Sequence, residues 1–187
     1  MRRFFVILIV IGGLGFFGSF LLPRLGHRLD QIELPTLLGT TTIELPDGRR
    51  LTATVPTQRL QLYAKDGHFQ NGWFVNAKGG LFGIGLTTAN KIAVCSARGR
   101  HAEIFELDGR SSGGFPPCAN SNALMTGILD PEWASIGSEN LRSVREAKAP
   151  VPSFSTLLML PIWHPFVAWA LMVLGALGLN VGQSKND

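Results

Sequence analysis

Two cysteines, four histidines and a scatter of carboxylates are the side chains in this chain that could do chemistry. Cys95 and Cys118 are the only cysteines. Their spacing is wrong for a CxxC redox motif, and two cysteines with dispersed histidines make a poor zinc site. They suit a single disulfide, which closes a loop of about 20 residues and adds about 3 kcal/mol in the chain-entropy model. Such a bond persists in an oxidising compartment such as the bacterial periplasm. His27, His68, His101 and His164 are spread along the chain. His68 and His101 each follow a turn and open a strand, with no third partner for a metal or for acid–base work. Glu103 and Glu106 fall on opposite faces of one strand by alternation, so they do not form a catalytic pair.

Two fragments are similar to motifs of chymotrypsin-like proteases. These are Leu86-Thr87-Thr88-Ala89-Asn90 and Ser111-Ser112-Gly113-Gly114-Phe115-Pro116. The resemblance fails on chemistry. Asn90 stands where the general base belongs and cannot take a proton, and the fragments lie too close together to come from two barrels. Gly79-Gly80-Leu81-Phe82-Gly83-Ile84-Gly85 is not a phosphate loop, because neither a helix start nor a Lys-Ser/Thr pair follows. The residues predict no enzyme, no metal and no cofactor.

The elements that would position these groups begin with two apolar ends. Phe4 to Leu22 is 19 residues without Asp, Glu, Lys or Arg, and Phe154 to Val181 is 28, broken by Pro161 and Pro165. About 20 apolar residues match the ~30 Å hydrocarbon core of a bilayer. Arg2 and Arg3 precede the first stretch and give it the look of a signal sequence. Phe16 to Leu22 offers large residues at the positions where a signal peptidase needs small ones, which predicts an uncleaved anchor. The two prolines, with Trp163 and His164 beside them, predict an interfacial lead-in to the second span. They allow a crossing of only Pro165 to Val181, about 25 Å at 1.5 Å per residue. Gly12, Gly15 and Ser19 share one face of the first helix, and Gly175, Gly178 and Gly182 share one face of the second. Small residues at that spacing let helices approach closely, either one another or a partner.

Between the anchors the pattern is β. Asp47-Gly48 sits between two β-branched runs, Thr41–Leu45 and Arg50–Val55, as a hairpin signal. The same grammar recurs at Lys65-Asp66-Gly67, Lys78-Gly79-Gly80, Arg98-Gly99 and Asp108-Gly109. About seven antiparallel strands result. Asp130-Pro131-Glu132 reads as a helix start. Trp73 and Phe115 are candidates for the border of a hydrophobic binding groove.

The expected fold is a membrane-anchored α+β protein. Two transmembrane helices flank a small, mainly antiparallel β domain with one C-terminal helix. The expected divisions are a cytoplasmic tail 1–3, helix 4–22, connector 23–39, β domain 40–129, amphipathic helix 130–148, linker 149–156, second span 157–181 and cytoplasmic tail 182–187. Net charge is +4 with 16% charged residues. Between Arg24 and Lys148, 14 Lys/Arg face 12 Asp/Glu with no basic stripe, which argues against nucleic acid. Arg142, Arg145 and Lys148 before the second span favour a cytoplasmic middle. A loop this long translocates largely regardless of charge, however, and Arg2, Arg3 and the disulfide favour N-in/C-in with a periplasmic domain. The resulting expectation is a bacterial inner-membrane protein. It is a non-catalytic accessory subunit or assembly factor of an envelope complex, partnered by the bilayer and a membrane protein. The alternative is a periplasmic module that senses a ligand or peptide, of unknown identity, and signals through a membrane partner.

Overall fold

The computed structural model describes residues 2–36, 39–99, 101–113, 116–119, 127–129, 131, 135–138, 140–151 and 154–183. Helix α1 (Arg2–Leu21) is apolar almost throughout and takes in the basic pair Arg2-Arg3. It runs into a 3-10 helix, Leu22–Leu29, kinked at Gly26. Seven strands follow: β1 (Thr40–Glu44), β2 (Arg50–Thr54), β3 (Arg59–Tyr63), β4 (Phe69–Phe74), β5 (Phe82–Thr87), β6 (Ile92–Ser96) and β7 (Ala102–Phe105). These are the strands that alternation and the Asp-Gly turns predict. Short strands β8 (Cys118–Ala119), β9 (Ser135–Ile136), β10 (Leu141–Arg142) and β11 (Arg145–Glu146) complete the β part. Helices α2 (Phe154–Leu158), α3 (Leu160–Trp163) and α4 (Pro165–Gln183) follow.

Among the described residues the strands form two antiparallel sheets and a small ribbon. The first sheet has the order β11-β1-β2-β3-β4, the second β10-β5-β6-β7, and β8 pairs with β9. The run of strands therefore breaks after β4, and the two sheets pack face to face. Ile43, Leu51, Leu60, Leu62 and Trp73 from one meet Phe82, Ile84, Leu86, Ile92, Val94 and Phe105 from the other in one core. Period-two alternation puts these residues inward. Each fully buried leucine or isoleucine contributes about 1.5–3 kcal/mol relative to exposure.

Both sheets are also covered on their outer faces. Ala93, Cys95, Ala102 and Ile104 on the second sheet pack under Leu129, Ile136 and Leu141. The Cys95–Cys118 disulfide, with Cα atoms 6.1 Å apart, ties that cover down. The first sheet is covered by the segment after α1.

The helix expected over 130–148 is not there: the described part of that segment forms β9, β10 and β11. Gly137 adopts φ +58, in the left-handed region, and its amide donates to Pro117 O at 2.9 Å. The deciding force is at the sheet edges. β10 pairs Leu141 with Thr87 and Arg142 with Leu86, while β11 pairs Ile43 with Glu146 and Glu44 with Arg145. Unpaired backbone groups on β5 and β1 would otherwise go unsatisfied, and this outweighs a modest local helix preference. The segment thus crosses from one sheet to the other and stitches them together.

α1 is long and apolar enough to cross a membrane, whereas the apolar described stretch of α4, Pro165–Asn180, is shorter. The second apolar segment is broken, as its prolines predict. Pro165 opens α4, and His164 between α3 and α4 takes an extended backbone at φ −109 and ψ 112.

Candidate functional site

α1 and α4 lie side by side, and glycines set their spacing. A Cβ on Gly12 would stand 2.5 Å from Ala168 O and 2.7 Å from Met172 N. One on Gly15 would collide with Pro161 O in α3, and one on Gly178 with the Phe5 ring. Gly175 faces Phe5 O and Ile9, and Ser19 is buried with its hydroxyl donating to Phe16 O at 2.7 Å. Gly182 lies in the last turn of α4. Gly12, Gly15, Gly175 and Gly178 therefore pack the helices of this chain against one another. The faces turned away carry exposed Leu14, Phe17, Phe20, Phe166, Trp169 and Leu177. Arg2 and Arg3 are exposed at the far end of α1. His164 is buried at the α3–α4 break with its ring 5.8 Å from that of Phe166, and Trp163 beside it is half-buried.

The connector is a built part of the structure rather than a loose tether. On β3, Leu60 and Leu62 point into the core, so Arg59, Gln61 and Tyr63 point to the outer face, yet all five residues are buried. Arg59 is fully buried, and its Nη2 donates to Leu29 O and Ile32 O, both at 2.8 Å. It thereby caps carbonyls at the end of the 3-10 helix. Its guanidinium lies 4.9 Å from the Phe74 ring centroid and rests on Gly72, where a Cβ would stand 2.6 Å from Nη2. Gln61 treats the connector as a neighbouring strand: Oε1 accepts from Leu34 N at 2.7 Å and Nε2 donates to Leu34 O at 2.9 Å. Gly72 N donates to Asp30 O at 2.9 Å from the adjacent β4. Burial pulls Arg59 down to about 10, against the pull of Asp30. Burial first, then the charge of Glu33, holds the Tyr63 hydroxyl protonated well above its ordinary range.

Sequence reasoning missed this row. Its signal was present in Arg59-Leu60-Gln61-Leu62-Tyr63, three long polar residues alternating with leucines, beside a connector carrying Leu29 and Leu34. Alternation alone assigns such a row to water.

The carboxylates near the β turns are committed to those turns. Asp47, Asp66 and Asp108 each accept a hydrogen bond from the backbone N–H two residues on, in Arg49, His68 and Arg110. Each also pairs with the side chain of that same residue, at 2.7, 3.0 and 2.7 Å. Glu106 binds Lys91 at 3.1 Å and accepts from the Ser112 hydroxyl at 2.6 Å. Glu103 accepts from Asn76 N at 3.1 Å, and burial raises it above the usual carboxylate range. Asn90 Oδ1 accepts from Arg142 at 2.6 Å. The protease-like fragments are thus occupied in tying strands. His68 lies beside β4 and His101 beside β7, in different sheets, so the structure does not bring them together. No group of His, Cys, Asp and Glu suited to a metal occurs among the described residues.

Trp73 does not border a groove. It is 5% exposed, with its ring 5.8 Å from Phe105. Gly109, at φ +87, lies so close over it that a Cβ would stand 2.5 Å from the indole. Phe115, its expected companion, lies outside the described residues.

A cleft does exist elsewhere, at the junction of helices and sheets. It measures about 1170 Å³. Phe16, Ser19 and Phe20 of α1 and Pro165, Phe166 and Trp169 of α4 form one side. The loops at one end of both sheets form the other, through Thr40, Thr41, Pro56, Gln58, Gly80, Leu81 and Arg98. Compared with known protein families and with curated proteins, the chain matches none.

Proposed function

We propose that this chain is a two-pass protein of a bacterial inner membrane, with both termini in the cytoplasm and the β domain in the periplasm. Its role is that of a non-catalytic accessory or assembly subunit in an envelope complex. The observation that carries this reading is the rigid mounting of the β domain. The connector that leaves α1 is clamped along the outer face of the first sheet by Arg59 and Gln61. Such a mount holds a binding surface at a fixed height and angle above the bilayer, which lowers the ordering cost of docking. Two further features support the reading. The disulfide suits an oxidising compartment, and α4 has about 28 Å of helix if all its 19 residues are counted. That length spans a thin or locally pinched bilayer.

Two experiments test it. A membrane-impermeant maleimide applied to intact cells should label Cys95 and Cys118 only after reduction. Labelling that needs an opened membrane and no reduction would invert the topology. Native electrophoresis of detergent extracts should show the chain in a larger assembly, and Arg59→Met should reduce that assembly while the chain stays in the membrane. Migration of the wild-type chain alone would sink the subunit role. The junction cleft favours a second reading, a periplasmic module that senses a ligand and signals through a membrane partner. A bound molecule in mass spectra of the purified protein would support it.

A further inference from the structure

The junction cleft has two chemically different sides. Its helix side is aromatic, and Phe20, Phe166 and Trp169 are 62%, 64% and 52% exposed. That side is continuous with the outer faces of α1 and α4, which carry exposed Leu14 and Phe17. Its sheet side mixes Thr40, Thr41 and Gln58 with Val55, Pro56 and Leu81, and it carries a cation. Arg98 is exposed, and among the described residues its guanidinium makes one hydrogen bond, from Nη1 to Lys78 O at 3.2 Å. A guanidinium has five N–H donors in a planar fork that matches phosphate oxygens. Lys78 is exposed next to it but does not line the cleft, so Arg98 is the cation of the site.

We propose that this cleft binds one anionic phospholipid from the leaflet around the helices. The acyl chains lie against Phe20, Phe166 and Trp169, and the phosphate sits at Arg98. Two observations select a lipid over other occupants: the apolar wall continues the exposed apolar faces of α1 and α4, and the cation stands on the opposite side, at the sheet loops. An indole at the rim is the usual companion of that boundary. The proposal rests on the reading that α1 and α4 span a bilayer. Given that reading, it makes the bound lipid a spacer that fixes the β domain against the membrane.

The test uses the full-length chain in detergent with added phosphatidylglycerol and phosphatidylcholine of matched acyl chains, read by native mass spectrometry. One basic residue near a membrane surface favours an anionic lipid about fivefold. Wild type should retain phosphatidylglycerol about fivefold over phosphatidylcholine, and Arg98→Gln should bring the ratio close to one. An unchanged ratio in Arg98→Gln, or a wild-type ratio of one, overturns the proposal. Displacement of the lipid by millimolar inorganic phosphate would reduce the site to a phosphate site and also overturns it. Should Arg98→Gln misfold, brominated lipids give an independent reading on folded protein. Brominated phosphatidylglycerol should quench wild-type tryptophan fluorescence more than brominated phosphatidylcholine, and Trp169→Phe should remove the difference; equal quenching in wild type refutes the site. Alkaline carbonate washing separates the two levels. A chain released from membranes ends the bilayer reading and the lipid site together, whereas a retained chain with no lipid preference ends the lipid site alone.

Discussion

Replacing Arg59 with methionine should open the connector and leave the sandwich closed. The substitution keeps most of the apolar stem and removes the guanidinium. Two hydrogen bonds of 2.8 Å, to Leu29 O and Ile32 O, are lost. At about 1.5 kcal/mol each for bonds to a charged group, that is about 3 kcal/mol. The stack on Phe74 adds about 1 kcal/mol. Part of this returns, because a buried guanidinium carries a desolvation cost that methionine does not. Burial pulls Arg59 down to about 10 against Asp30 and Tyr63, in keeping with such a cost. Taking that cost at about 2 kcal/mol, the low end for a buried ion, the net loss is about 2 kcal/mol. It falls on the docking of the connector, because Arg59 faces outward from β3 while Leu60 and Leu62 hold the core. Local opening then becomes about 30-fold more frequent. The assay is hydrogen exchange of the full-length chain, followed by mass spectrometry. The reporter is the Leu34 amide, which Gln61 Oε1 accepts at 2.7 Å. It should exchange about 30-fold faster in Arg59→Met, with β5 and β6 amides unchanged. Equal acceleration across the whole domain would refute the argument, because Arg59 would then belong to the global core. No acceleration at Leu34 would refute it as well, because the connector would then be held by something other than the clamp.

Other outcomes follow from the same geometry. Cys95→Ala with Cys118→Ala should lower stability by about 3 kcal/mol, the loop-closure entropy for a pair 23 residues apart, read by urea unfolding of the full chain. Gly12→Leu should loosen the helix pair by about 1–3 kcal/mol through overpacking against Ala168 and Met172, measured by unfolding in mixed dodecyl sulfate micelles. Gly13→Leu is its control and should be neutral, because a Cβ there meets nothing within 4 Å. Acid has two opposing effects. Backbone and side-chain bonds from Arg110 and His68 hold Asp108 and Asp66 below 3.8, so their stabilisation is complete above that pH and is lost as pH falls through their folded values. Glu103 runs the other way, since burial raises it above 4.5 and the fold gains as pH falls through its folded value towards 4.5. Glu103→Gln should therefore remove the gain above 4.5 and leave the acid loss below 3.8, as seen in thermal melts across pH.

Elements whose cause is local are legible from the residues alone. Thr41–Leu45 and Arg50–Val55 around Asp47-Gly48 become β1 and β2 because period-two alternation and an Asp-Gly turn need no distant partner. α1 and the break at Pro161–Pro165 are equally local, set by apolar composition and by a residue without an N–H. The cysteine pair was legible because only two are present. Tertiary structure decided whatever depends on which surface lies opposite. The split after β4 into two sheets leaves every strand's own pattern unchanged. Leu141–Arg142 and Arg145–Glu146 became strands because two sheet edges needed partners, a fact about β5 and β1 rather than about the segment. Arg59 and Gln61 read as solvent-facing until the connector lies over them. Arg98 gains its place at the cleft only because the ends of α1 and α4 meet the sheet loops there. A pattern of two or 3.6 residues states which face a side chain takes, and only the packed chain states what that face meets.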